Sequence, residues 1–270
     1  MEKFISVAFK ADDGTSAMIT ALLMDAGFEG VEELDTQTIV TIPESLFSAD
    51  TVNAIFEKFA VDYSQETVQQ QNWNAQWESS FEPVRVDNFA AIRAAFHSPV
   101  TDVMHEIVIT PKMSFGTGHH ATTYLMMQEM SQLSFQGKTV TDFGTGTAVL
   151  AILAEKLGAK EVLAIDNDEW SISNSKENLA ANGCTKITLQ KREEMVQQQV
   201  DIILANINLN VIIANVQAIK NSCSLSTQVL LSGLLTQDEP TIRATLHDNG
   251  FEVLKVVQKN NWIAVLTILA

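Results

Sequence analysis

The sequence predicts an α/β protein in two parts: a doubly wound parallel sheet domain preceded by a small α+β domain. Three observations carry this. From Thr139 onward, short apolar runs alternate with helical patterns, as in a parallel sheet covered by helices on both faces. Before residue 69 the order reads strand, helix, strand, strand, helix, strand, a ferredoxin-like arrangement. Between them lies SQETVQQQNWNAQWESSFEPV, whose glutamine run and spaced Trp73 and Trp77 read as a helical linker resting on a neighbour. The expected boundaries are 1–68 for the small domain, 69–90 for the linker and 91–270 for the Rossmann-like domain.

Element by element, Phe4 to Phe9 reads as a strand, Ser16 to Asp25 as a helix, and Phe28 to Leu34 and Thr38 to Ile42 as strands. Val52, Ile55, Phe56 and Phe59 recur at helical spacing within Asp50 to Phe59, and Val61 to Val68 supplies a last strand. In the second domain the strands are Thr139 to Asp142, Glu161 to Asp166, Ile187 to Leu189, Ile202 to Asn206, Val229 to Ser232, Phe251 to Val257 and Trp262 to Ile268. Intervening helices end at Lys156 and Ala181, ahead of Gly158 and Gly183, which suit C-terminal caps. Only Gln258 to Asn261 joins the last two strands. That is too short for a parallel crossover, so they are expected to pair antiparallel at the sheet edge.

Composition narrows the function. At 270 residues and 46% hydrophobic content the chain can bury a substantial core. No apolar run reaches the length of a membrane span and the start lacks a secretory signal, so a soluble cytoplasmic protein with no membrane partner is expected. Cys184 and Cys223 form neither a CxxC pair nor a disulfide framework and read as ordinary thiols. Acidic residues outnumber basic ones by 33 to 17, which argues against direct nucleic-acid binding. Residues 1–60 hold eleven Asp and Glu against Lys3, Lys10 and Lys58, a net −8. An acidic surface of this kind serves solubility, or docks a basic protein.

The main chemical signal is Thr139-Val140-Thr141-Asp142-Phe143-Gly144-Thr145-Gly146-Thr147-Ala148, a strand running through a glycine-rich turn into a helix. Glycines let the backbone turn sharply and approach a ligand, and the helix start offers free N–H groups. Asp166 ends the next strand, twenty residues beyond Gly146, where a carboxylate accepts both ribose hydroxyls of an adenosine cofactor. The GxGxA pattern departs from the GxGxxG of pyrophosphate binding, and Asp142 would repel a pyrophosphate, so a cofactor carrying sulfonium and ammonium charges fits better. Asp142 either touches that cofactor or caps the loop. A nicotinamide oxidoreductase and a non-enzymatic acidic binding module are the competing classes.

Phe115-Gly116-Thr117-Gly118-His119-His120-Ala121-Thr122-Thr123, Asp142-Phe143-Gly144-Thr145-Gly146, Asp166-Asn167-Asp168, Glu177-Asn178 and Leu204-Ala205-Asn206-Ile207 occur in one order along the chain. In these motifs the chain resembles the bacterial methyltransferases of large-subunit ribosomal protein eleven, over roughly residues 72–266. The resemblance implies a Rossmann-like methyltransferase sheet, S-adenosylmethionine as cofactor, and that basic ribosomal protein as partner and substrate, methylated on lysine side chains or its amino terminus. It also implies cofactor contacts from Thr123, Gly144, Gly146, Asp166 and Asn206. Asn206 orients the attacking amine in the same reading. Rival roles exist for each: Thr122 and Thr123 are possible helix caps, and so is Asn206. Two departures stand out, Ala148 for a third glycine and His119-His120-Ala121 for Thr-His-Pro. Two neighbouring histidines without further ligands do not make a metal site, and none is expected.

Overall fold

The computed structural model describes residues 3–34, 37–69, 82–111 and 120–270, and the chain divides into two compact units, residues 1–80 and 81–270. In the first unit, strand β1 (Lys3–Phe9) leads into helix α1 (Asp13–Asp25), then come β2 (Gly30–Leu34), β3 (Gln37–Pro43), α2 (Ala49–Phe59) and β4 (Tyr63–Gln69). The sheet order is β2-β3-β1-β4 and every pairing is antiparallel, as the strand and helix order implies. Alternation along the strands builds the core. Val7 and Phe9 of β1 and Val40 and Ile42 of β3 face Ile19 and Leu23 of α1 and Val52 and Phe56 of α2. Each such buried side chain contributes about 1.5–3 kcal/mol.

Local chemistry sets the ends of these elements. The Asp12 carboxylate accepts the Gly14 and Thr15 amides and so starts α1, and the Ser48 hydroxyl accepts the Thr51 amide at the start of α2. The expected strand from Phe28 begins two residues later, because Phe28 turns into the core beside Leu23 and Val40 instead of joining the ladder.

The second unit holds the larger sheet, built from β8 (Thr139–Phe143), β9 (Glu161–Asp166), β10 (Ile187–Lys191), β11 (Ile202–Asn206), β12 (Gln228–Leu235), β13 (Phe251–Lys259) and β14 (Trp262–Leu269). Its order is β10-β9-β8-β11-β12-β14-β13. The first five strands run parallel; β13 and β14 pair antiparallel, as the short 258–261 connection requires, and β14 lies between β12 and β13. Both faces are apolar, which buried parallel strands demand. Leu204, Leu230 and Ala264 point to one side, with helices α3 (Ala121–Met130), α4 (Val149–Lys156) and α5 (Glu169–Ala181) over it. Ile203, Leu231 and Val265 point to the other, under α6 (Leu209–Asn221) and α7 (Glu239–Asp248).

A further three-stranded sheet of β5 (Val84–Val86), β6 (Ala90–Ala94) and β7 (His105–Ile109) precedes these elements. Strand structure thus occurs within the 69–90 segment read as linker; Trp73 and Trp77 lie outside the described residues. The three strands are short and flanked by polar turns, so their apolar periodicity is too brief to register in sequence. Among the described residues no helix is long and apolar enough to cross a membrane.

Candidate functional site

The strand order reverses at β8: the chain passes to β9 on one side and later to β11 on the other, which opens a crevice beyond their carboxyl ends. The glycine turn lies here. The Gly144 and Thr145 amides both donate to Ile165 O, at 2.8 and 2.9 Å, which bends the chain off β8 toward the end of β9. Gly144 has φ 76°, and a Cβ at that position would strike the Ile207 side chain. Ala148, in the place of a third glycine, adopts φ 64° and is fully buried at the start of α4. An alanine there carries a strain of about 1–2 kcal/mol that glycine would not.

Asp142 is fully buried at the end of β8 and faces neither wall of the crevice. Its Oδ2 accepts the Thr145 hydroxyl at 2.6 Å and the Ala151 amide at 3.1 Å. Burial pushes its carboxyl up to about 7, with the Asp166 charge adding to the rise and the two hydrogen bonds opposing it. Of the two roles open to it in sequence, the geometry supports loop cap. Asp166 is placed differently. Its Oδ2 accepts the Gly146 amide at 2.8 Å and its Oδ1 the Asp168 amide at 3.0 Å, while the carboxylate still faces the crevice.

The crevice consists of two adjoining chambers. One, of about 390 Å³, is lined by His120, Thr122, Thr123, Gly233 and Trp262. The other, of about 600 Å³, is lined by Asp166, Asn167, Trp170, Arg192 and Glu193. Gly144, Gly146, Asn206, Ile207 and Asn208 border both, so Asn206 stands at their junction. Its Nδ2 lies 3.5 Å from Thr123 Oγ1, and its Oδ1 is buried with no partner among the described residues. A buried, unsatisfied carbonyl is costly and marks a place where a donor is missing.

The rival capping roles go to other residues. His120 caps α3, its Nδ1 taking the Thr122 amide at 3.4 Å and sitting 2.8 Å from Thr122 Oγ1. Asn208, through Oδ1, takes the Val211 amide at 3.1 Å and caps α6. Thr123 and Asn206 are therefore left to face the crevice. All five candidates, Thr123, Gly144, Gly146, Asp166 and Asn206, line it, Thr123 in the smaller chamber and Asp166 in the larger. Residues 115–119, including His119, lie outside the described residues. Among those described, no cluster of His, Cys, Asp and Glu is arranged to hold a metal.

Gly233 and Trp262 are among the wall residues outside the five candidates. Gly233 sits at a register shift between β12 and β14, at φ 84°, and any Cβ would run into the Ile207 backbone. A glycine inside the apolar run of β12 is a sequence signal for such close approach. Trp262 packs edge-on against His120 with ring centroids 4.4 Å apart, and no local pattern announces it. Cys184 and Cys223 are free, and burial pushes both thiols up to about 11, which leaves them protonated and unreactive at neutral pH.

These features fit a nucleoside cofactor with a charged tail: a carboxylate facing the crevice, a glycine cradle that a Cβ would fill, and an orphan carbonyl at the chamber junction. Comparison with known proteins agrees. The family described as "Ribosomal protein L11 methyltransferase (PrmA)" matches residues 32–268. A ribosomal protein L11 methyltransferase from Porphyromonas gingivalis is 37% identical over 92% of this chain and 89% of its own length. The one from Chlorobaculum parvum is 37% identical over 97% of this chain and 95% of its own. A crystal structure of ribosomal protein L11 methylase from Lactobacillus delbrueckii subsp. bulgaricus superposes with a TM-score of 0.65 at 31% identity, covering 69% of this chain and 98% of that one. With its seven-stranded sheet, its crevice and a family match over most of its length, the chain belongs to the ribosomal protein L11 methyltransferase family.

Proposed function

We infer that this protein transfers methyl groups from S-adenosylmethionine to amino groups of ribosomal protein L11, on lysine side chains or the amino terminus, in the cytoplasm. The observation that carries the reading is the unpartnered Asn206 Oδ1 at the junction of a chamber suited to adenosine and a smaller one suited to an entering side chain. When bound, S-adenosylmethionine supplies an electrophilic methyl group on a positively charged sulfur.

In this reading Asp166 holds the ribose hydroxyls, Gly144 and Gly146 let the cofactor lie against the turn, and Thr123 closes the opposite wall. Asn206 Oδ1 accepts an N–H of the substrate amine and so aims the nitrogen lone pair. Alignment is the larger part of the chemistry. A lysine must also shed a proton, at a cost of about 4–5 kcal/mol at neutral pH, since a free lysine side chain titrates near pH ~10.4. Desolvation in the smaller chamber, walled by Trp262 and His120, favours the neutral amine, as does the nearby sulfonium charge. The acidic first unit then serves to capture the basic substrate.

The reading is tested by incubating the purified protein with S-adenosylmethionine and ribosomal protein L11 and mapping mass increments of one methyl group or multiples of it by peptide mass spectrometry. Methylated lysines or a methylated amino terminus are the expected result. In parallel, calorimetry compares S-adenosylhomocysteine with NAD. Binding of NAD without the sulfur ligand would overturn the reading.

A further inference from the structure

Helix α5 and its C-terminal cap carry a row of polar side chains at three- and four-residue spacing, Ser175, Asn178 and Asn182, on the face turned toward the glycine turn and β7. Ser175 and Asn178 are fully buried. Such residues are poor helix formers and costly to desolvate, so their burial requires specific partners. Ser175 Oγ donates to Gly146 O at 2.6 Å, and Asn178 Nδ2 donates to Thr147 O at 2.9 Å. The other end of the same amide, Asn178 Oδ1, accepts the Thr110 backbone amide at 2.8 Å.

These bonds fall on a turn whose amides are held by Ile165 O, the Asp166 carboxylate and Thr145 O, and they fix two of its carbonyls as well. Gly144, Gly146 and Ala148 all have positive φ, and glycines tolerate many alternative backbone states. Ser175 and Asn178 tie down two consecutive carbonyls of that turn from behind, while its other side faces the crevice through Gly146 and Thr147. Asn178 also holds Thr110, just beyond β7, from which the chain runs on to His120, Thr122 and Thr123 of the smaller chamber. The primary amide of Asn178 accepts at one end and donates at the other, which an ionised carboxylate of the same length cannot do, and a serine is too short to span both.

We propose that Ser175 and Asn178 are positioning residues that lock the glycine turn in its cofactor-binding geometry, with Asn178 coupling the turn to the strand β7 side of the cleft. The proposal rests on the reading that this turn holds S-adenosylmethionine. Asn182 provides a control within the same row. It bonds Val108 of β7 twice, accepting its amide at 3.0 Å and donating to its carbonyl at 2.6 Å, but makes no bond to the turn.

The test uses the full-length protein and S-adenosylhomocysteine as probe, with affinity from calorimetry and Tm from thermal denaturation, well below the melting of each variant. Ser175→Ala and Asn178→Ala are expected to bind about ten-fold more weakly than wild type, the loss of one hydrogen bond to a ligand-bearing loop. Asn182→Ala should lose as much Tm and yet bind within about two-fold of wild type. Asn178→Asp, which keeps the acceptor for Thr110 and loses the donor to Thr147, should raise KM for S-adenosylmethionine more than it lowers kcat. If Ser175→Ala and Asn178→Ala bind as wild type does, or Asn182→Ala weakens binding as much as they do, the row is only a structural clamp and the proposal falls. Should Asn178→Ala fail to fold, Ser175→Ala against Asn182→Ala decides the matter. Asp166→Ala separates the two failures. Weak binding by that variant alone overturns the positioning role, and wild-type binding by all of them overturns the reading of the site.

Discussion

The Asp166 carboxylate and the Gly146 amide are joined by a 2.8 Å hydrogen bond, so the group we propose as the ribose acceptor is also a brace of the glycine turn. One oxygen holds the turn and the other holds the Asp168 amide at the start of α5. Each retains a lone pair for a ligand.

Replacing Asp166 with alanine should therefore weaken S-adenosylhomocysteine binding by about 1–3 kcal/mol, because the ribose hydroxyls lose a charged acceptor while still losing water. The half-exposed position predicts that folding survives. Calorimetry on a variant with wild-type circular dichroism checks this, and unchanged affinity would remove Asp166 from the site.

Asn206→Ala should separate rate from binding. An interaction formed mainly with the attacking amine appears in turnover more than in cofactor affinity. The expected result is a kcat reduced at least ten-fold, about 1.4 kcal/mol or more, with cofactor Kd changed by less than about three-fold. A wild-type kcat would refute the orienting role.

Asp142 makes stability depend on pH. Its carboxyl titrates near 3.8 ordinarily and at about 7 in its buried position. Below pH 3.8 both folded and unfolded chains carry the proton, and its contribution to stability is fully present. As pH rises toward 7 the unfolded chain ionises first, and that contribution is lost, by about 4 kcal/mol in all. Asp142→Asn keeps an acceptor for Thr145 and Ala151 and cannot ionise. Urea denaturation between pH 4 and 8 should show wild type losing stability relative to this variant as pH rises. A pH-independent difference between the two would contradict the burial argument.

A chain beginning at residue 81 lacks the acidic unit but keeps every described residue that lines the crevice. If the first unit captures the substrate, this truncated protein, once shown to be folded, should bind S-adenosylhomocysteine as the full chain does and lose most methylation of intact L11. Charges at the rim of a contact act chiefly on association rate, so the full chain's activity should also fall with salt. Equal methylation by both forms at moderate salt would return the acidic surface to a role in solubility.

Short-range chemistry in the sequence was enough to specify much of this molecule. Strand alternation in residues 4–9 and 38–42, the uninterrupted apolar runs from Thr139 on, and the four-residue connection before Trp262 predict two sheets and one antiparallel pair at a sheet edge, because side-chain periodicity and chain reach are local quantities. The order of the motifs along the chain likewise carries the resemblance to the family. Other features depended on where distant segments meet. Asn206 and Asn208 are both asparagines near a helix start, and only the path of α6 assigns the cap to Asn208 and leaves Asn206 facing the crevice. Gly233 is required by the backbone of Ile207, twenty-six positions away, and Trp262 reaches His120 only because β14 lies beside β12. A cap, a close approach and a chamber wall are set by steric exclusion and hydrogen-bond geometry between strands adjacent in the sheet and remote along the chain, and that adjacency comes into being only when the sheet closes.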